Sequence, residues 1–132
     1  MKRFHVHLKV TDLEISKNFY TALFQQAPVV EKNDYAKWLL DNPALNFALS
    51  VTKDQPGIEH LGFQASDETE LAQLYQNMKE AKGTVLTEGN CTCCYAKSEK
   101  SWLIDPQSVP WEVFYTHGAA TVYGSGIALP KN

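Results

Sequence analysis

The sequence predicts an α+β fold in which two paired βαβββ modules form a curved mixed sheet around a cavity. Each half of the chain reads as a strand, a capped helix and three further strands. Both halves begin alike, because each first strand carries a histidine, His5 or His60. They also end alike, since DNPALNFALS from Asp41 matches DPQSVPWEVF from Asp105. This pattern indicates an internal duplication.

The first module is predicted to span residues 1–54. Residues 3–10 alternate strictly between apolar and polar side chains, which predicts a strand with one face on a core. Thr11 and Glu14 form a capping box that opens a helix at about residues 12–25. Its apolar stripe is Ile15, Phe19, Tyr20, Leu23 and Phe24. Short strands are expected at residues 29–32, 36–41 and 45–52.

The second module is predicted to span residues 57–116, and it repeats this order. Its first strand is residues 58–65, and Asp67 with Glu70 opens its helix. The apolar stripe of that helix is Leu71, Leu74, Tyr75, Met78 and Ala81, and Gly83 suits the position just past its end. Strands are expected at residues 84–87, 101–104 and 110–115. With a tail at 117–132, the 132 residues form one predicted domain.

Composition narrows the functional classes. Apolar residues make up 44% of the chain and charged residues 20%, as in soluble globular proteins. The net charge is −3 with no basic stripe, so we do not expect nucleic acid as a partner. No apolar run suits a signal peptide or a membrane span, so a cytoplasmic protein is expected. The three cysteines are crowded into one polar loop, which favours free thiols over a disulfide framework.

The alternation of the strands predicts which side chains face the cavity. If the helices cover the apolar faces, His5 and His7 on the first strand point the other way. By the same period of two, His60 and Glu112 lie on the cavity face of their own strands. The pattern therefore allows His5, His60 and Glu112 to converge.

Two imidazoles and a carboxylate on one face suit a divalent first-row metal. Iron(II) is the usual occupant where dioxygen takes part, and zinc, nickel, cobalt or manganese would also bind. The alternative for each histidine alone is a structural, hydrogen-bonded residue, but an unpaired buried glutamate is costly. His7 is interpreted as lining the pocket, with a substitute ligand as the alternative, and His117 as a surface residue.

Three segments resemble the vicinal oxygen chelate superfamily, which includes glyoxalase I, extradiol dioxygenases and the fosfomycin- and bleomycin-resistance proteins. They are H-V-H-L-K-V-T-D-L-E-x-S-x-x-F-Y from His5, G-I-E-H-L-G-F from Gly57, and D-P-x-x-x-x-W-E-V-F from Asp105. The resemblance implies a glyoxalase-like fold and one metal held by His5, His60 and Glu112. It also implies a possible homodimer.

The cysteine segment C-x-C-C-Y-A-K-S-x-K-x-W-L-x-D-P, from Cys91, is similar to that of the organoarsenical carbon–arsenic lyases and the related cadmium-induced proteins. The resemblance implies an iron(II)-dependent dioxygenase that cleaves trivalent organoarsenicals captured by Cys93 and Cys94. Soft trivalent arsenic suits a pair of thiolates. Cys91 is an additional thiol without an assigned role. Lys97 and Lys100 either lower the pKa of the thiols or are simply solvated.

Two alternatives remain open from the sequence. A protein of the same fold could sequester arsenic or cadmium without turnover, although such a protein would not need His5, His60 and Glu112. Another glyoxalase- or dioxygenase-type metalloenzyme would not need the cysteines. Ala48 stands where four-ligand glyoxalase I enzymes carry a glutamate or glutamine, which counts against lactoylglutathione lyase activity.

Overall fold

A computed structural model describes residues 1–93 and 95–119, with the backbone alone at 91–93 and 118–119. These residues form eight strands and two helices, in the predicted order. The first half contains β1 (Arg3–Val10), α1 (Leu13–Phe24), β2 (Val30–Glu31), β3 (Tyr35–Asp41) and β4 (Ala44–Val51). The second contains β5 (Gly57–Gln64), α2 (Glu68–Ala81), β6 (Thr84–Cys93), β7 (Ala96–Ile104) and β8 (Pro110–Ala119).

All eight strands lie in one mixed sheet, in the order β2-β3-β4-β1-β5-β8-β7-β6. Within each half the first strand pairs in parallel with the last, β1 with β4 and β5 with β8. The two halves join where β1 and β5 run antiparallel at the centre of the sheet. The predicted fold class is therefore confirmed, and the sequence duplication corresponds to a repeated pattern of strand pairing.

Each helix covers one half of the sheet with its own apolar cluster. Under α1 the cluster is centred on Trp38 and Leu49, which are fully buried, and under α2 on Leu71 and Met78. The strands contribute the apolar faces that their alternation predicted, Val6 and Val113 among them. The opposite face of the sheet is thereby left for the polar residues of β1, β5 and β8.

The predicted apolar stripe of α1 is only partly correct. Tyr20 and Phe24 pack against the cluster, whereas Ile15, Phe19 and Leu23 are 68%, 60% and 62% exposed. Neighbouring positions on a helix differ by about 100°. A row at Ile15, Phe19 and Leu23 is thus turned away when the adjacent row containing Tyr20 and Phe24 faces the sheet. These three residues form an apolar strip on the outer surface.

The start of α1 is shifted by one residue from the prediction. The N-cap is Asp12 rather than Thr11, because the Asp12 carboxylate accepts a hydrogen bond from the Ile15 amide at 3.0 Å. An aspartate next to the threonine competes for the same role and is an equally good cap. At α2 the prediction is confirmed, since Asp67 accepts from the Glu70 amide at 2.8 Å.

At the end of α2, Gly83 lies just past the helix as predicted, but another residue takes the left-handed conformation. Lys82, with φ of 60°, takes the left-handed position that caps the helix, and Gly83 follows it. Gly83 is needed for a different reason: a Cβ there would lie 2.6 Å from the carbonyl oxygen of Ile104. The glycine therefore permits the close approach of the chain to β7.

Cys91 and Cys93 lie in a strand and not in the predicted loop. β6 continues through Cys93, and its backbone pairs Cys91 with Ser98 and Cys93 with Ala96 on β7. Cys94 lies outside the described residues. The polar sequence TEGNCTC lacks the apolar alternation by which a strand is recognised, because this hairpin forms the edge of the sheet. Cys91 and Cys93 thus belong to the end of the β6–β7 hairpin.

We expect Gly62→Ala to destabilise the fold, because β5 and β8 meet most closely at this residue. A Cβ on Gly62 would overlap the carbonyl oxygen of Glu112, which belongs to the backbone and cannot rotate away. The free energy of unfolding should fall by about 2–3 kcal/mol, as measured by denaturant unfolding. Ile58→Ala, at an exposed position of the same strand, serves as the control. An unchanged unfolding midpoint in Gly62→Ala would show that the strands can separate without cost.

No helix within residues 1–93 and 95–119 combines the length and apolar character needed to cross a membrane.

Candidate metal centre

The side chains of His5, His60 and Glu112 meet at the centre of the sheet. Nε2 of His5 lies 3.0 Å from Nε2 of His60. Oε1 of Glu112 lies 3.4 Å from the first of these nitrogens and 3.6 Å from the second. All three residues are buried, with 4–6% of their surface exposed. One strand of the first half and two of the second therefore direct three donor atoms at a single point.

The spacing of these atoms suits a metal. Donors about 2.1 Å from one ion, in octahedral or tetrahedral arrangement, are separated from each other by about 3.0–3.4 Å. The three observed separations of 3.0, 3.4 and 3.6 Å fall close to that range. Two imidazoles and one carboxylate also match the donor types that iron(II) and related ions prefer.

Each of these histidines is oriented through its other ring nitrogen. Nδ1 of His5 lies 3.1 Å from the main-chain oxygen and 3.0 Å from the side-chain oxygen of Asn46 on β4. Nδ1 of His60 lies 3.2 Å from Oε1 of Glu59. These oxygens only accept hydrogen bonds, so Nδ1 carries the hydrogen in both rings and Nε2 faces the centre.

Burial and neighbouring charges move the pKa values of the two rings apart. Burial lowers the pKa of His5 to about 4, although the Glu112 charge acts against the shift. Burial also lowers the pKa of His60, but hydrogen bonds with Glu112 and Glu59 outweigh it and raise the pKa to about 9. At neutral pH, His5 is therefore neutral, whereas His60 carries a proton that it would have to give up to bind a cation.

Glu112 is held in its charged form by a buried lysine. Nζ of Lys100 donates to Oε2 of Glu112 at 2.7 Å, and both side chains are almost completely buried. Burial raises the pKa of Glu112, but Lys100 and His60 outweigh this effect and hold the pKa well below its usual value. Oε2 is thus occupied by the lysine while Oε1 faces the histidines. The expectation that Lys100 is solvated is therefore wrong, and its observed partner is Glu112.

We expect Lys100→Met to destabilise the protein strongly, because it leaves the Glu112 carboxylate buried without its cation. Breaking a buried ion pair on one side costs about 3–5 kcal/mol, to be measured by denaturant unfolding of the metal-free protein. Lys97→Met is the matched control, since Lys97 is exposed on the same strand. Equal stability of the two variants would contradict the proposed importance of the pair.

His7 provides a third imidazole beside this cluster. Ligand nitrogens of His5, His7 and His60 lie within 4.8 Å of one another, so the three histidines could also hold a metal. However, Nε2 of His7 lies 2.8 Å from the Ser50 hydroxyl. Burial also lowers the pKa of His7 to about 3. The set with Glu112 is more compact and supplies negative charge, so His7 fits better as a wall of the site.

A cavity of about 30 Å³ opens beside these residues. Both halves of the chain line it, since Tyr35 and Lys37 come from β3, Ser98 from β7 and Thr116 from β8. Its volume is enough for one or two water-sized molecules. Of the remaining candidates, Lys97 and His117 are exposed. The side chains of Cys91 and Cys93, and the whole of Cys94, are outside the described residues.

The tip of the β6–β7 hairpin is attached to the first half of the chain. The Tyr95 hydroxyl donates to Asp34 at 2.7 Å, and the Lys32 ammonium lies 5.3 Å from the centre of the Tyr95 ring. The same ring lies 5.7 Å from that of Tyr35, which lines the cavity. The residue that follows Cys94 therefore lies at the edge of the candidate site.

Three residues of the site escaped prediction: Asn46, Glu59 and Lys100 as partners of the proposed ligands. For Asn46 and Lys100 the sequence offered a signal, whereas for Glu59 it offered none. Asn46 interrupts an apolar strand, and Lys100 lies on a strand that neighbours the one with Glu112. A buried carboxylate is costly without a cationic partner. This cost could have predicted that a lysine on the neighbouring strand pairs with Glu112.

Comparison with known proteins assigns the chain to a family. The model of the Glyoxalase/Bleomycin resistance protein/Dioxygenase superfamily matches residues 2–113, and the chain belongs to this superfamily. The Mn(II)-bound glyoxalase from Novosphingobium aromaticivorans aligns with a TM-score of 0.64 and 18% identity, over 97% of this chain and 44% of that chain. An extradiol ring-cleaving dioxygenase from B. fuscum aligns with a TM-score of 0.62 and 16% identity, over 88% and 32%. Both similarities show the shared fold.

Sequence relatives narrow the position within the superfamily. The trivalent organoarsenical cleaving enzyme of Bacillus sp. (strain MD1) is 43% identical over 120 residues, 88% of this chain and 74% of the relative. The trivalent organoarsenical cleaving enzyme of Thermomonospora curvata is 32% identical, over 91% and 81%. Cadmium-induced protein CadI of Mycobacterium bovis is 30% identical, over 96% and 84%. The resemblance expected from the sequence is confirmed, and the chain is an enzyme of the metal-dependent lyase or dioxygenase type.

Proposed function

We propose that this protein cleaves the carbon–arsenic bond of trivalent organoarsenicals, with iron(II) as its metal and dioxygen as the oxidant. The observation that carries the proposal is the convergence of His5, His60 and Glu112 on one point within 3.6 Å. The relatives named organoarsenical cleaving enzymes supply the substrate class. Inorganic arsenite is the expected product.

The residues present fit the metal. His5 and His60 would hold it through Nε2 and Glu112 through Oε1, because these atoms already face one another. When bound, iron(II) would supply the activation of dioxygen that oxidative cleavage needs. Three protein ligands leave coordination positions free, as such chemistry requires. Lys100 keeps the second carboxylate oxygen engaged, so Glu112 offers a single donor atom to the site.

The proposed role of Cys93 and Cys94 is to capture the arsenic. The backbone register supports it, because Cys93 pairs with Ala96, which lines the cavity, and Tyr95 lies next to the cavity-lining Tyr35. A captured arsenical held at this end of the hairpin would meet the site in a fixed orientation, which lowers the entropic cost of reaction. Lys97 is the remaining candidate for lowering the pKa of the thiols.

A second candidate function is sequestration of arsenic or cadmium without turnover. The similarity to a cadmium-induced protein favours it, together with the crowded cysteines. Sequestration does not require the buried set of His5, His60 and Glu112, because thiols alone would bind soft metals. The cluster of two histidines and a glutamate therefore favours the enzyme over the binding protein.

Turnover can be tested directly. The iron(II)-loaded protein is incubated in air with methylarsenite, and the formation of inorganic arsenite is followed by chromatography with arsenic detection. A control without dioxygen should give no product. If methylarsenite binds to the loaded protein and no arsenite appears, the lyase proposal is wrong and sequestration is supported.

A further inference from the structure

We propose that Glu59 is the positioning residue for His60, holding the imidazole so that Nε2 is presented to the metal. This inference rests on the proposed metal site and adds a residue to it. The carboxylate of Glu59 accepts the Nδ1 hydrogen of His60 at 3.2 Å. The geometry is that of a carboxylate–histidine–metal relay, in which the outer group sets the tautomer and angle of the ring.

An irregularity of the sheet makes this contact possible. Adjacent residues of a strand normally point to opposite faces, so Glu59 should lie on the far side of β5 from His60. However, β1 residue His7 pairs with His60 and the next residue, Leu8, pairs with Ile58. Glu59 is thus the extra residue of a β-bulge, and bulges re-aim side chains near functional sites.

The Glu59 carboxylate is fixed at both oxygens. Oε1 contacts His60, and Oε2 lies 3.2 Å from Nζ of Lys9 on the neighbouring strand β1. Because the carboxylate is only about one-third exposed, it has limited freedom to turn away. Lys9 therefore orients the Glu59 carboxylate, which in turn orients the His60 ring. The bulge is what turns the Glu59 side chain toward His60.

The two proposed histidine ligands consequently have different outer partners. His5 donates to neutral oxygens of Asn46, whereas His60 donates to a carboxylate. A negative partner makes the imidazole a stronger donor to a metal than a neutral partner does. Glu59 should therefore contribute more to metal affinity than its position outside the ligand set suggests.

Metal affinity tests the inference without reference to arsenicals. Glu59→Ala and Glu59→Gln are titrated anaerobically with cobalt(II), and binding is followed by the visible absorption of the bound ion. We expect Glu59→Ala to bind about 10- to 100-fold more weakly. Glu59→Gln should lie between Glu59→Ala and the wild type, because its amide oxygen still accepts the Nδ1 hydrogen without the charge. The cobalt spectrum of Glu59→Ala should also shift, as His60 turns.

Glu68→Gln, on the surface of α2, is the control for loss of an exposed carboxylate. Unfolding of the metal-free variants shows whether they are folded under the conditions of the titration, so that a change in affinity and spectrum of a folded variant reports on the metal site. Wild-type affinity and spectrum in Glu59→Ala would overturn this inference while leaving the metal site intact. Failure of the wild-type protein to bind cobalt(II) would instead overturn the metal site and the proposed function together.

Discussion

Glu112→Gln should abolish turnover while leaving arsenical capture intact. The substitution removes the only negative charge of the proposed ligand set of His5, His60 and Glu112. Loss of a residue that merely orients a ligand costs about 10- to 100-fold in metal affinity. We therefore expect loss of a ligand itself to cost more than about 100-fold, with arsenite formation falling by at least the same factor. Isothermal titration with iron(II) and the arsenite assay measure the two effects.

Glutamine is the informative replacement because of Lys100. With alanine, the buried ammonium would lose its 2.7 Å partner, and any loss of activity could come from unfolding. The amide oxygen of the introduced glutamine can still accept that hydrogen bond, so glutamine should cost less stability than alanine, and unfolding of the metal-free variant checks that it is folded. If Glu112→Gln bound iron(II) like the wild type, the ligand set would need revision toward His5, His7 and His60, which also lie close together.

The sequence predicted the fold because the duplication repeats at several levels. The same order of strand and helix, a histidine in each first strand and matching last strands all indicated two equivalent modules. The register shows how the equivalence works: His5 corresponds to His60, His7 to Gly62, and Ala48 to Glu112. Period-two alternation was sufficient to predict which residues of β5 face the cavity, because the pairing of β5 with β1 is regular from His60 onward.

What escaped prediction depends on contacts between strands that are distant in sequence. Lys100 seemed a loop lysine because β7 carries polar residues on both faces, and only pairing with β8 places it against Glu112. Glu59 seemed to face away from His60 because a bulge cannot be read from alternation. The outer row of α1 was misassigned because apolar residues occupy two adjacent rows of that helix, and a sequence does not state which row meets the sheet.

Cys93 and Cys94 should be needed for capture of the substrate and not for binding of the metal. We expect Cys93→Ser and Cys94→Ser each to lower kcat/KM for methylarsenite by about 100-fold or more, since an arsenical that is not held in place reacts far more slowly. Iron(II) affinity should stay unchanged, because His5, His60 and Glu112 hold the metal without help from the hairpin. The arsenite assay and the iron titration together distinguish the two effects.

Cys91→Ser is the matched control, since it removes a thiol from the same hairpin without touching the proposed pair. If it lowered activity as much as Cys93→Ser does, the capturing pair would have to include Cys91. Activity on some other substrate that loss of both Cys93 and Cys94 leaves unchanged would remove the arsenical from the proposal. The triad of His5, His60 and Glu112 would then belong to a metalloenzyme of the same superfamily with a different substrate, because the metal site does not depend on the thiols.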